Sequence, residues 1–526
     1  MMGGMRAYRD LHVYFGDLHN HCGISYGHGS LDEALANARE QLDFCSVTGH
    51  AHWPDMPPPD PRIQYILDFH HEGFAKLKAG WPAVLDTLRG ANEEGRFVVF
   101  PSFEIHFCAT GDRTVLYRDL GGEILYADDL DDLHRRLRAL ATQGSHLHLA
   151  LGGEVRNEDV TPAIAFPHHL GYRRGARGVN WDAFDPAFAP VVEIVSMHGC
   201  SEGSENPRPF LHSMGPSDWE STMQCGLGQG HVFGVVGGTD HHSAHPGSYG
   251  HGRAALWAAG LTREALWDAL MARRTCALTG DRIALQLALN DAPMGAVVPL
   301  TRQRHIEIRL EAGGAIDCLD LVKNNRLLRR WSECDVPQAA PSDPLHTKLF
   351  LEVGWGEKRK ETAWDIRLGI SEGRILAVEP RFRGQEIVSP VEKQAGSSSH
   401  YHTSHWERDG ERAVHFATRS IGHPNNVTNT AQGMCLEVEM PLGGAVEAIL
   451  NGQRVSIPLR RLVAGAKSGN LGGIDSPAWR LHRAPLPWEF RWEVSLDDAD
   501  DAPAFYYARV RQKNDQWAWA SPIFVR

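Results

Sequence analysis

The sequence has few cysteines, and none of them forms a Cys-x-x-Cys pair. Nine cysteines are scattered over 526 residues, an odd number that argues against a disulfide framework and against a thiolate zinc site. Free or buried thiols are typical of a reducing compartment, so we expect a cytoplasmic protein. The first six residues also lack the apolar core of a signal peptide.

Long apolar runs and an excess of positive charge are missing as well. No run of about 18 or more apolar residues occurs, so we expect no membrane-spanning helix. The net charge of −12 argues against a general nucleic-acid binder or an anionic-membrane binder, although it allows a local basic pocket. Hydrophobic residues make up 42% and charged residues 22% of the chain, as in ordinary globular proteins. The length predicts two or three domains.

Histidine is abundant and unevenly distributed. Of the 29 histidines, 21 lie in the first 281 residues and eight lie beyond them, which favours a functional site in the first half. His19 and His21 follow a β-branched and aromatic segment, 13–15, that predicts a strand. Side chains two apart on an extended backbone point the same way, so these two histidines can face one cation, with Asp17 on the same face.

Strand and helix signals alternate over the first half. Ser30-Leu31-Asp32-Glu33 has the pattern of a capping box and predicts a helix over 30–41. Seven apolar segments each run into His, Glu or Asp; they are 13–15, 43–48, 97–101, 144–149, 163–167, 191–195 and 232–236. A parallel α/β barrel accounts for this pattern, because its active site gathers at the carboxyl ends of its strands.

The pattern changes in the second half. Segments 304–310, 364–368 and 489–494 alternate polar and apolar residues, and 505–525 reads as a hairpin with its turn at 513–516. Such segments predict an antiparallel β-sandwich. We therefore predict two domains, an α/β barrel over residues 1–284 and a β-sandwich over residues 285–526.

Five short motifs in the first half occur in a characteristic order. They are Asp17-Leu18-His19-Asn20-His21, Thr48-Gly49-His50, Ser102-Phe103-Glu104, Phe166-Pro167-His168-His169 and Gly238-Thr239-Asp240-His241-His242. Together they resemble the ordered motifs of the polymerase and histidinol phosphatase (PHP) superfamily. The sandwich half resembles a functionally obscure branch of that superfamily. The resemblance implies a distorted (β/α)7, TIM-like barrel that is a metal-dependent hydrolase.

The resemblance also implies two or three divalent ions, for which zinc, manganese or iron would suit the nitrogen and carboxylate ligands. The implied ligands are His19, His21, Glu104 and Asp240 for one ion; Glu104, His146 and His168 for a second; and His28, His50 and His242 for a third. His148 is an alternative to His146, and His169 is an alternative to His168. Gly49 departs from the family pattern, which usually has aspartate there, so one carboxylate near the third position is missing.

Clustered divalent ions would hold a hydroxide and neutralise charge on phosphoryl oxygens, so the first hypothesis is a phosphoesterase acting on a small phosphorylated molecule. A histidine beside the ions could protonate the leaving alkoxide. Arginine matches phosphate through paired donors. We assign His198, His169 and Asp240 to catalysis, and Arg173, Arg174, Arg177 and Arg253 to the substrate.

Two other functions fit the same sequence. A hydroxide held by metal ions could attack the carbonyl of a non-phosphate ester, a lactone or an amide. In a different class of function, the barrel would be non-catalytic and the sandwich would bind a carbohydrate or a protein. The position of the four arginines relative to the histidines separates the first two hypotheses.

Overall fold

The first half of the chain alternates short strands with helices and loops. The structure, a computed structural model, describes residues 5–150, 162–385 and 404–526, without the side chains of 142–150. Strands of the first half are β1 (His12–Asp17), β2 (Phe44–Cys45), β3 (Thr48–His52), β4 (Val98–Val99), β5 (Ser102–Ile105), β6 (Arg113–Tyr117), β7 (Ala163–Pro167), β8 (Val191–Ser196), β9 (Gly199–Cys200), β10 (Gly234–Gly237), β11 (Arg253–Ala258) and β12 (Thr275–Leu278). The strand predicted over 163–167 is confirmed as β7.

The helix predicted over 30–41 is confirmed, and a helix replaces one predicted strand. The α-helices are α1 (Leu31–Gln41), α2 (Gln64–Ala91), α3 (Leu130–Ala150), α4 (Met223–Gly228), α5 (Arg263–Met271), α6 (Leu459–Ala464) and α7 (Pro487–Phe490). The predicted strand over 144–149 is wrong, because α3 continues through it. Leu147 lies two helical turns beyond Leu140, so the apolar spacing of the helix persists there. Among the described residues, no helix combines the length and the apolar character needed to cross a membrane.

The predicted capping box at the start of α1 is confirmed. Ser30 Oγ accepts a hydrogen bond from the Glu33 N–H at 3.1 Å, and Glu33 Oε2 accepts one from the Ser30 N–H at 2.7 Å. Both bonds satisfy backbone donors that the first turn of a helix leaves without a partner.

We expect Ser30→Ala to lower the free energy of unfolding by about 1 kcal/mol, because the Glu33 N–H loses its acceptor. Urea denaturation followed by circular dichroism measures this change. Ser30→Asp, which keeps an acceptor at the cap, is the control and should stay close to the wild type. Equal stability of Ser30→Ala and the wild type would contradict the role of the cap.

The strands of the first half pair in both directions and belong to three sheets. β1 pairs antiparallel with β11 and parallel with β2, which is parallel to β4. The other two sheets have the orders β3-β5-β6-β7 and β10-β8-β9. β5 and β6 are antiparallel, since the short loop 106–112 joins them where a parallel barrel needs a crossover. The described strands therefore form a mixed α/β fold with several antiparallel pairs, and no closed barrel is found among them.

The second half is built mainly from antiparallel strand pairs. Its strands are β13 (Ala284–Leu289), β14 (Ala292–Pro293), β15 (Val297–Val298), β16 (Gln303–Glu311), β17 (Ile316–Lys323), β18 (Arg326–Ser332), β19 (Leu345–Trp355), β20 (Glu361–Ile370), β21 (Arg374–Arg381), β22 (His405–Arg408), β23 (Ala413–Ile421), β24 (Gln432–Met440), β25 (Ala445–Leu450), β26 (Gln453–Pro458), β27 (Lys467–Asn470), β28 (Pro477–Leu481), β29 (Arg491–Ala499), β30 (Ala504–Gln512), β31 (Trp517–Ala520) and β32 (Ile523–Val525). The pair β15–β32 is parallel. Two five-stranded sheets, β21-β24-β19-β28-β27 and β22-β23-β20-β25-β26, share one hydrophobic core. This part of the second half is a sandwich.

One sheet contains strands from both halves of the chain. β12 pairs antiparallel with β31, which pairs with β30. The C-terminal strands thereby extend the sheet that holds β1, in the order β15-β32-β30-β31-β12-β11-β1-β2-β4. The domain boundary between residues 284 and 285 stays a prediction, and strands from both sides of it support the His-x-His motif.

Candidate metal centre

The His-x-His motif leaves β1 with both imidazoles aimed at one point. The Nε2 atoms of His19 and His21 lie 3.2 Å apart, and both side chains are buried. Nδ1 of His19 faces the carboxylate of Glu193 at 3.0 Å, and Nδ1 of His21 faces the backbone carbonyl of Thr48. Because an acceptor stands at each Nδ1, the proton of each neutral ring lies there and Nε2 presents its lone pair.

Glu104 lies on β5 between two groups of histidines, and its side chain is buried. Its Oε1 is 3.0 Å from His168 Nε2 and 3.1 Å from His106 Nδ1. Its Oε2 faces three Nε2 atoms, those of His21 at 3.4 Å and of His19 and His50 at 3.6 Å. The two oxygens of one carboxylate therefore face two different sets of nitrogen atoms.

Asp240 comes from the loop after β10 and completes the group around His19 and His21. Its Oδ1 is 2.9 Å from His21 Nε2 and 3.5 Å from His19 Nε2. Its Oδ2 is 2.8 Å from His198 Nε2. The backbone of Asp240 has a left-handed φ of 52°, a conformation that is uncommon outside glycine and recurs at functional sites.

Asp17 holds this loop in place. Its carboxylate accepts hydrogen bonds from the Thr239 N–H at 3.1 Å, from the Thr239 hydroxyl at 2.5 Å and from the Gly247 N–H at 2.8 Å. Asp17 thus fixes the backbone on both sides of Asp240, so the structure gives it a role in positioning the loop.

His168 and His169 both reach the centre, although neighbouring residues of a strand point in opposite directions. His168 Nε2 lies 3.0 Å from Glu104 Oε1, and His169 Nε2 lies 3.5 Å from Asp240 Oδ2. The reason is the left-handed φ of 56° at His169, which ends the alternation of β7. Both of the alternatives that the sequence left open are therefore close to the carboxylates.

A third group contains His21, His50 and His242, each offering a ligand atom within 4.8 Å of the others. His50 Nδ1 is 3.0 Å from Ser25 Oγ, and His242 Nδ1 is 2.8 Å from the backbone carbonyl of Asp240. These contacts leave Nε2 of both rings to face the group.

Three of the histidines considered as ligands are not seen at the centre. One of them is less well placed, and the side chains of the other two lie outside the described residues. His28 is buried, and its N–H donates to the His242 carbonyl at 2.8 Å. It lies next to the third group, but its ring is not part of any of the described groups that could hold an ion. The side chains of His146 and His148 lie outside the described residues, within the C-terminal part of α3.

Burial and neighbouring charges set the protonation of these groups. Burial would raise the pKa of Glu104, but the nearby His106, His168 and His50 outweigh it and hold that pKa well below its usual value. Burial, helped by His19, lowers the pKa of His168 to about 4, and burial with His21 lowers that of His242. Glu104 is thus ionised and His168 and His242 are neutral, the forms in which these groups bind cations. His19 differs, because Glu193 and Asp240 outweigh its burial and hold its pKa well above the usual value.

Of the four arginines predicted to bind substrate, the structure brings Arg177 to the centre. Arg173 is exposed, and Arg174 pairs with Asp182 at 2.8 Å. The buried guanidinium of Arg253 donates to the backbone carbonyl of Gly247 and to the side-chain Oε1 of Gln41, so it holds a loop together. The structure does not bring Arg173, Arg174 or Arg253 to the centre, because a sequence does not give the direction of a guanidinium; their assignment to the substrate stays a prediction.

Sequence reasoning missed several residues at the centre. Asp112 lies on the β5–β6 loop, and its Oδ2 is 3.4 Å from His106 Nδ1 and 4.0 Å from His169 Nε2. Glu193 is an acidic residue inside the otherwise apolar strand β8, where it is buried. A carboxylate within an apolar strand is unusual, and this signal could have identified Glu193. No comparable signal marks Asp112.

The structure explains why glycine, and not the aspartate of the motif that the sequence resembles, occupies position 49. A Cβ atom at this position would lie 2.6 Å from Leu77 Cδ1 and 2.9 Å from Leu77 Cδ2. Leu77 comes from α2 and is fully buried. The side chain of Leu77 fills the volume in which an aspartate would have to sit.

We expect Gly49→Asp to lower the free energy of unfolding by about 3 kcal/mol or more, because it overpacks the contact and buries a carboxylate beside an apolar side chain. Adding Leu77→Ala should restore part of the loss, since it opens space for the carboxylate. Denaturant unfolding of both single variants and the double variant measures the effect. If the losses in unfolding free energy of the two single variants simply add in the double variant, Leu77 is not the side chain that excludes the carboxylate.

A cavity of about 280 Å³ opens directly onto the centre. Glu104, Asp240 and several of the histidines form its floor. Its wall is mostly aromatic and apolar, and it consists of Tyr26, Trp53, Tyr65, Ile66, Phe69 and Met214. A pocket with a few polar groups at its base and apolar walls is typical of a site for a small molecule.

Comparison with known proteins gives partial matches. No family model matches the chain. An uncharacterized protein of Chlamydia trachomatis serovar D is 32% identical over 171 residues, which are 29% of this chain and 28% of that protein. An uncharacterized protein of Chlamydia pneumoniae is 25% identical over 269 residues, 48% of this chain and 40% of that one. The chain therefore spans less than half the length of these relatives.

One solved structure is similar over most of the chain. It is a two-domain protein from Bacteroides vulgatus described as containing a predicted PHP-like metal-dependent phosphoesterase. The match covers 85% of this chain and 96% of that one, with 10% identity and a TM-score of 0.30. At those values the likeness carries no conclusion about this chain.

Proposed function

We propose that the chain is a metal-dependent hydrolase and that its substrate is a small phosphate ester. The observation that carries this proposal is the position of Glu104, whose two oxygens face different sets of histidine nitrogens. Its Oε2 faces His50 as well as His19 and His21, so this one oxygen lies beside two candidate cation positions, which is the arrangement of multinuclear hydrolases. Zinc, manganese and iron all accept nitrogen and carboxylate ligands.

The atoms around His19 and His21 fit a divalent cation. Four atoms meet at this point: Nε2 of both rings, Oδ1 of Asp240 and Oε2 of Glu104. With the rings neutral, all four are acceptors, and five distances between them run from 2.9 to 3.6 Å. Four acceptors this close repel one another unless a cation lies among them, or a proton on His19, whose pKa Glu193 and Asp240 raise against the effect of burial. Tetrahedral ligands about 2.1 Å from zinc are separated by about 3.4 Å, so the spacing supports a cation at this position.

Bound divalent ions supply an ionised water nucleophile near neutral pH and neutralise charge that develops on phosphoryl oxygens. The chain's own residues orient the substrate and move the proton. His198 lies at the cavity, 2.8 Å from Asp240 Oδ2, where it can donate a proton to the leaving alkoxide. Arg177 also lines the cavity and offers N–H donors to an anionic group.

A second candidate is the hydrolysis of a carboxylic ester, and the cavity wall favours it. Arg177 alone of the four predicted arginines reaches the described cavity, and its guanidinium is already paired with Asp112. Tyr26 stacks on His50 with ring centroids 3.6 Å apart, so apolar surface extends to the ligands themselves. An uncharged ester with an apolar group would suit this surface.

The test pairs a phosphate and a carboxylic ester that share one apolar group. Chelator-treated protein, reloaded with zinc or with manganese, is assayed with phenyl phosphate and with phenyl acetate. We expect metal-dependent hydrolysis of phenyl phosphate, lost with chelator and restored by the ion. Hydrolysis of phenyl acetate alone would select the second candidate. Absence of any bound divalent ion after reloading would remove both.

A further inference from the structure

A guanidinium occupies the space on one side of Glu104. Arg177 Nη2 lies 3.6 Å from Glu104 Oε1 and 2.6 Å from His106 Nδ1. The same nitrogen pairs with Asp112 Oδ2, to which Arg177 Nε also donates at 2.6 Å. His106 Nδ1 in turn is 3.1 Å from Glu104 Oε1 and 3.4 Å from Asp112 Oδ2. One nitrogen of Arg177 thus lies within 3.6 Å of two carboxylate oxygens and one imidazole nitrogen.

The other side of Glu104 is different. Around its Oε2 the described partners are the Nε2 atoms of three histidines, and no arginine or lysine side chain is among them. The carboxylates of Glu104 and Asp112 are both buried. A buried ionised carboxylate needs hydrogen-bond donors or a nearby positive charge. On the Oε1 side Arg177 already supplies that charge, whereas on the Oε2 side the chain supplies none that is permanent.

The guanidinium is firmly held at this place. The side chain of Arg177 is only 16% exposed. Its Nη1 lies 3.0 Å from Met214 Sδ, and its guanidinium carbon stands 5.4 Å from the centroid of the Trp53 ring. Asp112 is fixed as well, because its Oδ1 accepts from the Phe107 N–H at 3.0 Å. Moving Arg177 aside would break the pair with Asp112 and its packing against Trp53.

We propose that Arg177 takes the place of a divalent ion on the Oε1 side of Glu104, so that the centre binds two ions per chain and not three. This inference rests on the proposed function, which requires that the centre binds metal at all. One ion lies among His19, His21, Glu104 and Asp240, and the other lies at His50 and His242, because the Nε2 of His21 can bind one ion only. A dication next to the guanidinium would be repelled by it, and it would have to compete with it for Asp112 and Glu104.

Metal content per chain tests this proposal. Wild type, Arg177→Met and the control Arg174→Met are stripped, reloaded with zinc, desalted and analysed by inductively coupled plasma mass spectrometry. We expect two ions per chain in wild type and in Arg174→Met, and three in Arg177→Met, because Asp112, His106 and Glu104 Oε1 become free. Arg177→Lys, which keeps the charge, should remain at two.

Three ions in wild type, or an unchanged count in folded Arg177→Met, would overturn the proposal while leaving a metal-dependent hydrolase intact. Wild type that binds no ion would overturn the proposed function itself. Should Arg177→Met fail to fold, a crystal of zinc-loaded wild type decides the matter. An anomalous peak next to Glu104 Oε1 contradicts the proposal, and peaks on the Oε2 side alone support it.

Discussion

Glu104→Gln is expected to lose at least one divalent ion per chain and to lower the rate of hydrolysis about 1,000-fold or more. The amide removes the negative charge and turns one ligand oxygen into an NH2 group that cannot bind a cation. A divalent ion contributes several kcal/mol to the stabilisation of a phosphoryl transition state, and each 1.36 kcal/mol is a factor of ten in rate. Metal analysis and the phenyl phosphate assay, carried out on the same preparation, measure both effects.

Glu123→Gln is the matched control, because Glu123 is exposed on a loop outside the centre. It should keep the wild-type metal content and rate. Far-ultraviolet circular dichroism establishes that Glu104→Gln is folded. A folded Glu104→Gln protein with full metal content and full activity would show that this carboxylate does not connect the two groups of histidines.

Glu202→Ala is expected to lower the free energy of unfolding by about 3–5 kcal/mol. Glu202 is buried in the loop after β9, and its oxygens accept hydrogen bonds from three side chains of β30 and β31. The donors are Tyr507 Oη at 2.7 Å, Arg509 Nη1 at 2.6 Å and Trp519 Nε1 at 2.8 Å. Alanine leaves a buried indole N–H and a buried hydroxyl without their acceptor, which is costly.

The same loop continues to His212 and Met214, which line the cavity. Loss of its anchor should therefore also lower kcat/KM, by up to about 100-fold if the loop shifts by 1 Å. Glu205→Ala, an exposed position of the same loop, is the control for both measurements. Equal unfolding midpoints for Glu202→Ala and Glu205→Ala in guanidinium chloride would rule out the anchoring role.

Local signals predicted local structure well. The apolar segment before His168 became β7, and the capping box at Ser30 became the start of α1. The motifs also singled out Glu104 and Asp240, which the fold brings next to His19 and His21 from distant parts of the chain; their role as ligands stays a prediction. These features depend on residue type and spacing, which a sequence contains.

Features that depend on direction or on distant neighbours were not predictable. β5 and β6 pair antiparallel because a short loop joins them. The residue types of that loop do not reveal how short it is, so the direction of the pairing could not be predicted. His169 reaches the centre through a left-handed backbone that its residue type does not signal. Arg177 and Arg253 are both arginines near histidine motifs, and only tertiary packing directs the first towards Glu104 and the second towards Gly247 and Gln41.

The pairing of β12 with β31 has a consequence for producing the first half separately. A fragment ending at residue 284 would expose the backbone donors and acceptors of Cys276, Ala277 and Leu278, which are paired with Ala520, Trp519 and Ala518 in the whole chain. An exposed apolar strand edge of this kind pairs with the strands of other chains. Such a fragment is expected to self-associate during expression, and co-expression with the missing half should keep it in solution.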